Sequence, residues 1–211
     1  VEKGTSTYLA IGAAIGGLAG KQLFDAIKSA SANADAVGAV QAAVETPSVS
    51  FGFIEKDCGA FFSSQMTVDR NGRMIDLYRR VSPGWKEPFA GKAYREGSAF
   101  HAFSFLGKTV AVGLCGDLWT EGRPEEMKAL QADVVLWPVW CDYSPAEWND
   151  TVKYEYAQQA AHCGHDVLLV NPFCTDPTAT DCATGACVHF RNGSIVRELP
   201  SGRPGTLLIE L

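Results

Sequence analysis

From Thr109 to Trp119 the chain reads TVAVGLCGDLW, an apolar run that ends on Cys115-Gly116-Asp117 and then turns polar. Val110 to Leu114 carries no polar side chain, which is the pattern of a strand covered on both faces within a layered sheet. Gly116 permits a sharp turn directly after it. Pro124, followed by Glu125 and Glu126, then reads as the first turn of a helix, where a missing N–H is harmless and acidic side chains face the positive end of the dipole. The order strand, cysteine, turn, helix puts a thiol at the carboxyl end of a strand. Near backbone N–H groups a thiolate is stabilised there and an oxyanion can be received. A buried structural cysteine is the alternative that this stretch alone leaves open.

The rest of the sequence narrows the choice. With 211 residues, 46% hydrophobic and 20% charged, the chain can bury one sizeable core, so residues 1–211 are read as a single domain. A net charge of −6, with no basic cluster beyond Arg79-Arg80, argues against nucleic acid or an anionic membrane surface as partner and favours a small molecule. Seven cysteines are an odd number without a close-set framework, which points to a reducing, cytoplasmic compartment rather than a disulfide-stapled secreted domain. Leu9 to Ala19 (LAIGAAIGGLA) is apolar but short of the roughly 20 residues of a membrane span, and reads as a buried loop or helix start.

In chain order, Lys21 to Val44 has helical spacing and stops before Pro47. Ser48 to Ile54, Ala60 to Val68 and Arg73 to Arg80 read as strands, the last two joined by a hairpin turn at Asn71-Gly72. Val81 to Gly97 is a long loop rich in Pro, Gly and charge, of a kind that usually carries function. Phe100 to Phe105 is the expected hairpin partner of the Cys115 strand, and Asp133 to Val139 and Asp166 to Asn171 are two further buried strands. Between these two, Ala146 to Cys163 is helical, with Trp148, Val152, Tyr156 and Ala160 on one stripe. Ala186 to Phe190, Ser194 to Leu199 and Thr206 to Leu211 close the chain as strands.

These residues resemble the carbon–nitrogen hydrolase (nitrilase) superfamily along essentially the whole chain. Gly113-Leu114-Cys115-Gly116-Asp117-Leu118-Trp119 has the form of that family's nucleophile strand, an aliphatic residue, Cys, one variable residue and Asp. Asp69 to Arg80 (DRNGRMIDLYRR) repeats the hairpin that precedes the family's lysine, with Arg80 in the lysine's position. Glu2 and Tyr8 keep the interval between the family's first glutamate and a following tyrosine. Ala132 to Pro138 and Val167 to Asn171 resemble the strands after the nucleophile.

The resemblance implies a nitrilase-like α/β fold, an α-β-β-α sandwich. The family's opening strand-helix unit has no counterpart here, so an N-terminally incomplete chain is expected. It also implies the chemistry. A thiol attacks an amide or nitrile carbon as thiolate, so it needs a base, and the leaving nitrogen needs an acid; one carboxylate can serve as both. By resemblance Cys115 is the nucleophile, Glu2 the base, Arg80 the cation, Glu87 a second glutamate, and Gly116 an N–H donor to the oxyanion. Trp85, Trp140 and Tyr143 are the expected pocket wall, and His162 is read as structural. Neither a cofactor nor a metal is expected: Cys174, Cys182, Cys187 and His189 lack the close Cys pair of structural zinc sites. The family also implies a homodimer or higher homo-oligomer. The competing reading is an inactive, nitrilase-like binding or assembly subunit, to which Arg80 in place of lysine points.

Overall fold

The computed structural model describes residues 8–12, 48–69, 71–83, 91–174 and 182–210. Glu2, Trp85 and Glu87, and the helix expected from Lys21 to Val44, lie outside them.

The apolar runs form the middle of a six-stranded sheet. β6 (Lys108–Val112), β7 (Val134–Pro138) and β8 (Asp166–Phe173) are parallel neighbours. Antiparallel strands flank them: β5 (Ala102–Phe105) beside β6, and β9 (Thr184–Arg191) then β10 (Ser194–Leu199) beyond β8. β6 is therefore one strand in from the β5 edge rather than at the centre. Parallel strands need crossovers, and helices supply them: α1 (Arg123–Ala129) links β6 to β7, and α2 (Lys153–Cys163) links β7 to β8.

Strand alternation sends side chains to two cores. Ala111, Val135, Trp137, Val167 and Leu169 face Met127, Ala157, Ala160 and Cys163 of the helices. Val110, Val134 and Leu168 face the other way, where Ile209, Leu207 and Ile75 cover them. Ile209 and Leu207 belong to β11 (Thr206–Glu210), which pairs antiparallel with β1 (Tyr8–Gly12). Ile75 belongs to β4 (Met74–Arg79), the last strand of a three-stranded antiparallel meander with β2 (Val49–Asp57) and β3 (Ala60–Val68). The layers run helices, sheet, strands.

The Asn71-Gly72 turn forms as expected, with the Asp69 carboxylate accepting the N–H groups of Asn71 at 2.8 Å and Arg73 at 2.9 Å. The reading of Leu9 to Ala19 as loop or helix start is corrected at its beginning, since Tyr8–Gly12 is a strand. Its pairing partner is the chain's last strand, a contact that local composition does not encode.

Candidate active site

β6 continues through Gly113, whose N–H still reaches the Leu136 carbonyl at 3.0 Å, to Leu114 and Cys115. A side chain at Gly113 would collide with Leu118, because a Cβ there would lie 2.7 Å from a Leu118 methyl. Cys115 opens a 3₁₀ turn, Cys115–Trp119, with φ at 48°. That left-handed conformation costs a non-glycine residue of order 1 kcal/mol or more and persists only where surrounding bonds hold it.

Those bonds are present. The Trp137 indole N–H donates to the Cys115 carbonyl at 2.9 Å, and the Thr120 hydroxyl donates to the Gly116 carbonyl at 3.0 Å. Asp117, fully buried, does most of the holding. Its Oδ2 accepts the Leu114 N–H at 2.8 Å and the Tyr78 hydroxyl at 2.6 Å. Its Oδ1 accepts the Ser82 N–H at 2.8 Å, the Ser82 hydroxyl at 2.6 Å and the Val81 N–H at 3.2 Å. A buried carboxylate is tolerable only when its lone pairs are met in this way. Burial and the neighbouring carboxylate together push the Tyr78 phenol well above its ordinary range, so it remains a donor. Asp117 thus ties the cysteine turn to the segment that follows Arg80.

The two arginines at the end of β4 diverge, as neighbours on a strand do. Arg79 pairs with Glu55 and, at 2.8 Å, with Asp57, and lies 4.0 Å from the Phe62 ring centroid. The hydrogen bonds from its guanidinium, aided by its charge, hold Glu55 below the usual carboxylate range. Arg80 turns toward the cysteine turn. Its Nε donates to the Ser82 hydroxyl at 3.4 Å, and its Nη2 would lie 2.7 Å from a Cβ built on Gly116. The guanidinium therefore rests on the bare backbone of the residue after Cys115.

The half-buried Cys115 thiol points to the Trp140 carbonyl at 3.9 Å. Beyond it Cys141 is buried, its sulfur 3.1 Å from the Tyr156 hydroxyl. Burial pushes the Cys141 thiol up to about 11, so it stays protonated at neutral pH. Asn171 fixes this segment, accepting the Cys141 N–H and donating to the Cys141 carbonyl, both at 3.0 Å. Tyr156 is the hub of an aromatic cluster, with ring centroids 5.0 Å from Trp119, 5.1 Å from Trp137 and 5.0 Å from Trp148. A single turn of π-helix, Trp148–Val152, joins the helical turn at Pro145–Glu147 to α2. Trp140 and Tyr143 are exposed, 43% and 40%.

The structure thus brings together Cys115, Gly116, Arg80 and Trp140 from the residues expected of a site, with Tyr143 nearby on the Cys141 segment. His162 is exposed on α2. Asp117 belongs to the nucleophile motif but has no role read from the sequence, and Tyr78, Ser82, Tyr156 and Asn171 are not read from it as parts of the site. A charge inside an apolar stretch at Asp117, and an amide at the end of an apolar strand at Asn171, were the available signals.

No family model matches the sequence. N-carbamoylputrescine amidase of Oryza sativa subsp. japonica is 26% identical over 121 residues, 55% of this chain and 40% of that protein, so the match spans under half of the relative. The amidase from Nesterenkonia sp. AN1, in a mutant form with the acetamide moiety of fluoroacetamide added covalently at its active-site cysteine, superposes with a TM-score of 0.72 at 17% identity. That likeness covers all of this chain and 92% of the other. Glutamine-dependent NAD+ synthetase from Acinetobacter baumannii gives a TM-score of 0.63 at 20% identity over 90% of this chain, which spans only 34% of that much longer protein. The Nesterenkonia amidase is of the nitrilase superfamily. Its fold is the fold described above, and the chain is similar in sequence to the rice amidase over the 121 residues they share.

Proposed function

We propose that the chain hydrolyses a non-peptide C–N bond of a small amide or related molecule through a thioester on Cys115. The observation that carries this reading is the Cys115 turn itself. A thiol sits in a left-handed conformation at the end of a buried strand, with a guanidinium resting on the next residue. Strained backbone of this kind persists only where the surrounding structure holds it, and it clusters at active sites.

In this reading the Cys115 thiolate attacks the carbonyl carbon, and the negative charge moves to the carbonyl oxygen. The Gly116 N–H and Arg80 are the groups assigned to receive it. A fixed donor of this sort is worth about 10²- to 10³-fold in rate. The amine departs with a proton, water attacks the thioester, and the acid product leaves. Glu2, with Glu87 in support, is assigned the proton transfers by family resemblance. Trp85, Trp140 and Tyr143 are assigned to the substrate wall. A homodimer or higher homo-oligomer and a cytoplasmic setting complete the proposal; among the described residues no helix is long and apolar enough to cross a membrane. The relatives are amidases and lend no support to an inactive binding subunit.

The test is ammonia release from acetamide and related small amides, with mass analysis of the Cys115 peptide after fluoroacetamide. Cys115→Ala should lower turnover by about 10⁴-fold or more while leaving the fold intact. An unlabelled Cys115, together with no ammonia from any small amide, would overturn the proposal.

A further inference from the structure

Gly116 has a backbone conformation that any residue can adopt, so its lack of a side chain answers to space rather than to φ. That space is occupied by Arg80. A Cβ on Gly116 would lie 2.7 Å from Arg80 Nη2, nearer than such atoms approach, but 3.8 Å from Arg80 Cζ, an ordinary contact. Only the outermost nitrogen of the arginine needs the missing methyl. A lysine ends about where the guanidinium carbon lies, and would clear an alanine.

On its other side the guanidinium is anchored. Arg80 Nε donates to the Ser82 hydroxyl, and that hydroxyl in turn donates to Asp117, whose second oxygen holds the Leu114 N–H beside the nucleophile. The cation and the thiol are thereby referred to one buried carboxylate.

We infer that Gly116 is a positioning residue for Arg80. Its bare backbone is the seat that lets a guanidinium stand where the lysine of the family pattern would, and the Ser82–Asp117 pair fixes that guanidinium from behind. The inference deepens the proposed function, since it rests on Arg80 acting as the cation of the hydrolysis.

The experiment is a double-mutant cycle on the full chain with Gly116→Ala, Arg80→Lys and the pair. Turnover of acetamide and the NMR signal of the Arg80 Nε–H are the readouts. Alanine should be accommodated by a swing of the flexible arginine, so Gly116→Ala should melt like the parent, shift the Arg80 Nε–H signal and lower kcat about tenfold. That is less than outright removal of a donor. KM should stay within about twofold, because the loss falls on the transition state. In the Arg80→Lys background the same alanine should change kcat by less than about twofold, the mark of two coupled residues. Ser82→Ala should also move the Arg80 signal. An Arg80 signal indifferent to Gly116→Ala, or an equal loss of kcat in both backgrounds, would overturn the inference. If no variant and not the parent hydrolyses acetamide, the amidase reading fails, while the Arg80 signal still decides whether Gly116 is its seat.

Discussion

Asp117 and Asp166 are buried carboxylates at opposite ends of the parallel strands, and they are satisfied by different kinds of partner. Asp117, beyond the carboxyl end of β6, is met by neutral groups: three backbone N–H groups and two hydroxyls. Asp166, at the amino end of β8, is met by His189 at 2.5 Å, His165 at 2.6 Å and Arg191 at 2.9 Å, groups that carry or can carry positive charge. A cage of neutral donors does not depend on the ionisation of its partners. Through the Ser82 hydroxyl it is also joined to the Arg80 guanidinium. A cluster of ionisable partners neutralises itself and makes stability depend on pH. The first arrangement suits a reaction centre, and the second suits a clamp joining β8 to β9.

The largest effect should come from breaking the neutral cage. Asp117→Ala leaves buried donors from three segments unmet, and since each such group costs roughly 1 to 3 kcal/mol, a loss of about 3 to 5 kcal/mol is expected by denaturant unfolding. Because the Leu114 and Ser82 anchors go together, kcat for acetamide should fall by a further factor that stability alone does not explain. Asp166→Asn should cost less, about 1 to 2 kcal/mol, and should leave kcat within about twofold. An Asp166→Asn protein as inactive as Asp117→Ala would erase the distinction between the two ends.

The second contrast is in pH. Burial pushes the Asp166 carboxyl up, but the bonds from His189, His165 and Arg191 outweigh it, and the group is held below the ordinary carboxylate range. A depressed folded-state pKa means that its contribution is present above the unfolded value of about 3.9 and is lost as pH falls through the folded value. Stability measured by chemical unfolding should therefore decline below about pH 4, and Asp166→Asn should flatten that decline. Glu55, held low chiefly by Arg79, adds a decline of the same sign that Asp166→Asn leaves in place.

The same comparison shows what the sequence could and could not convey. The strands β6, β7 and β8 are legible because burial on both faces leaves continuous apolar runs, and the β3–β4 hairpin because Asp69 and Gly72 make its turn locally. Cys115, Arg80 and Gly116 were legible as residue types at a family's spacing. The Asp117 cage was not, because its donors Tyr78 and Ser82 are 39 and 35 residues away and only the fold assembles them. Nor was β1, whose partner is the last strand of the chain. Tyr156 falls on an apolar helical stripe and reads as core; its polar end shows only when Cys141 is brought against it.

The smallest effects lie in single donors, and they sharpen the comparison most finely. Tyr78→Phe removes one hydroxyl from Asp117 and leaves the ring, stacked on Phe100 with centroids 6.0 Å apart, in place. Four donors remain on the carboxylate, including both that fix Ser82. The expected loss is about 1 to 2 kcal/mol, the worth of one hydrogen bond to a charged group, with kcat changed by less than about threefold because Leu114 and Ser82 keep their anchors. His165→Ala removes one partner from Asp166, but that imidazole is more than half exposed and its ion pair is screened by water, so about 0.5 kcal/mol or less is expected. The order of the two losses is the decisive measurement. If His165→Ala destabilises more than Tyr78→Phe, ion pairing at the β8 end outweighs the neutral cage, and the cage is not what holds the strained cysteine turn in place.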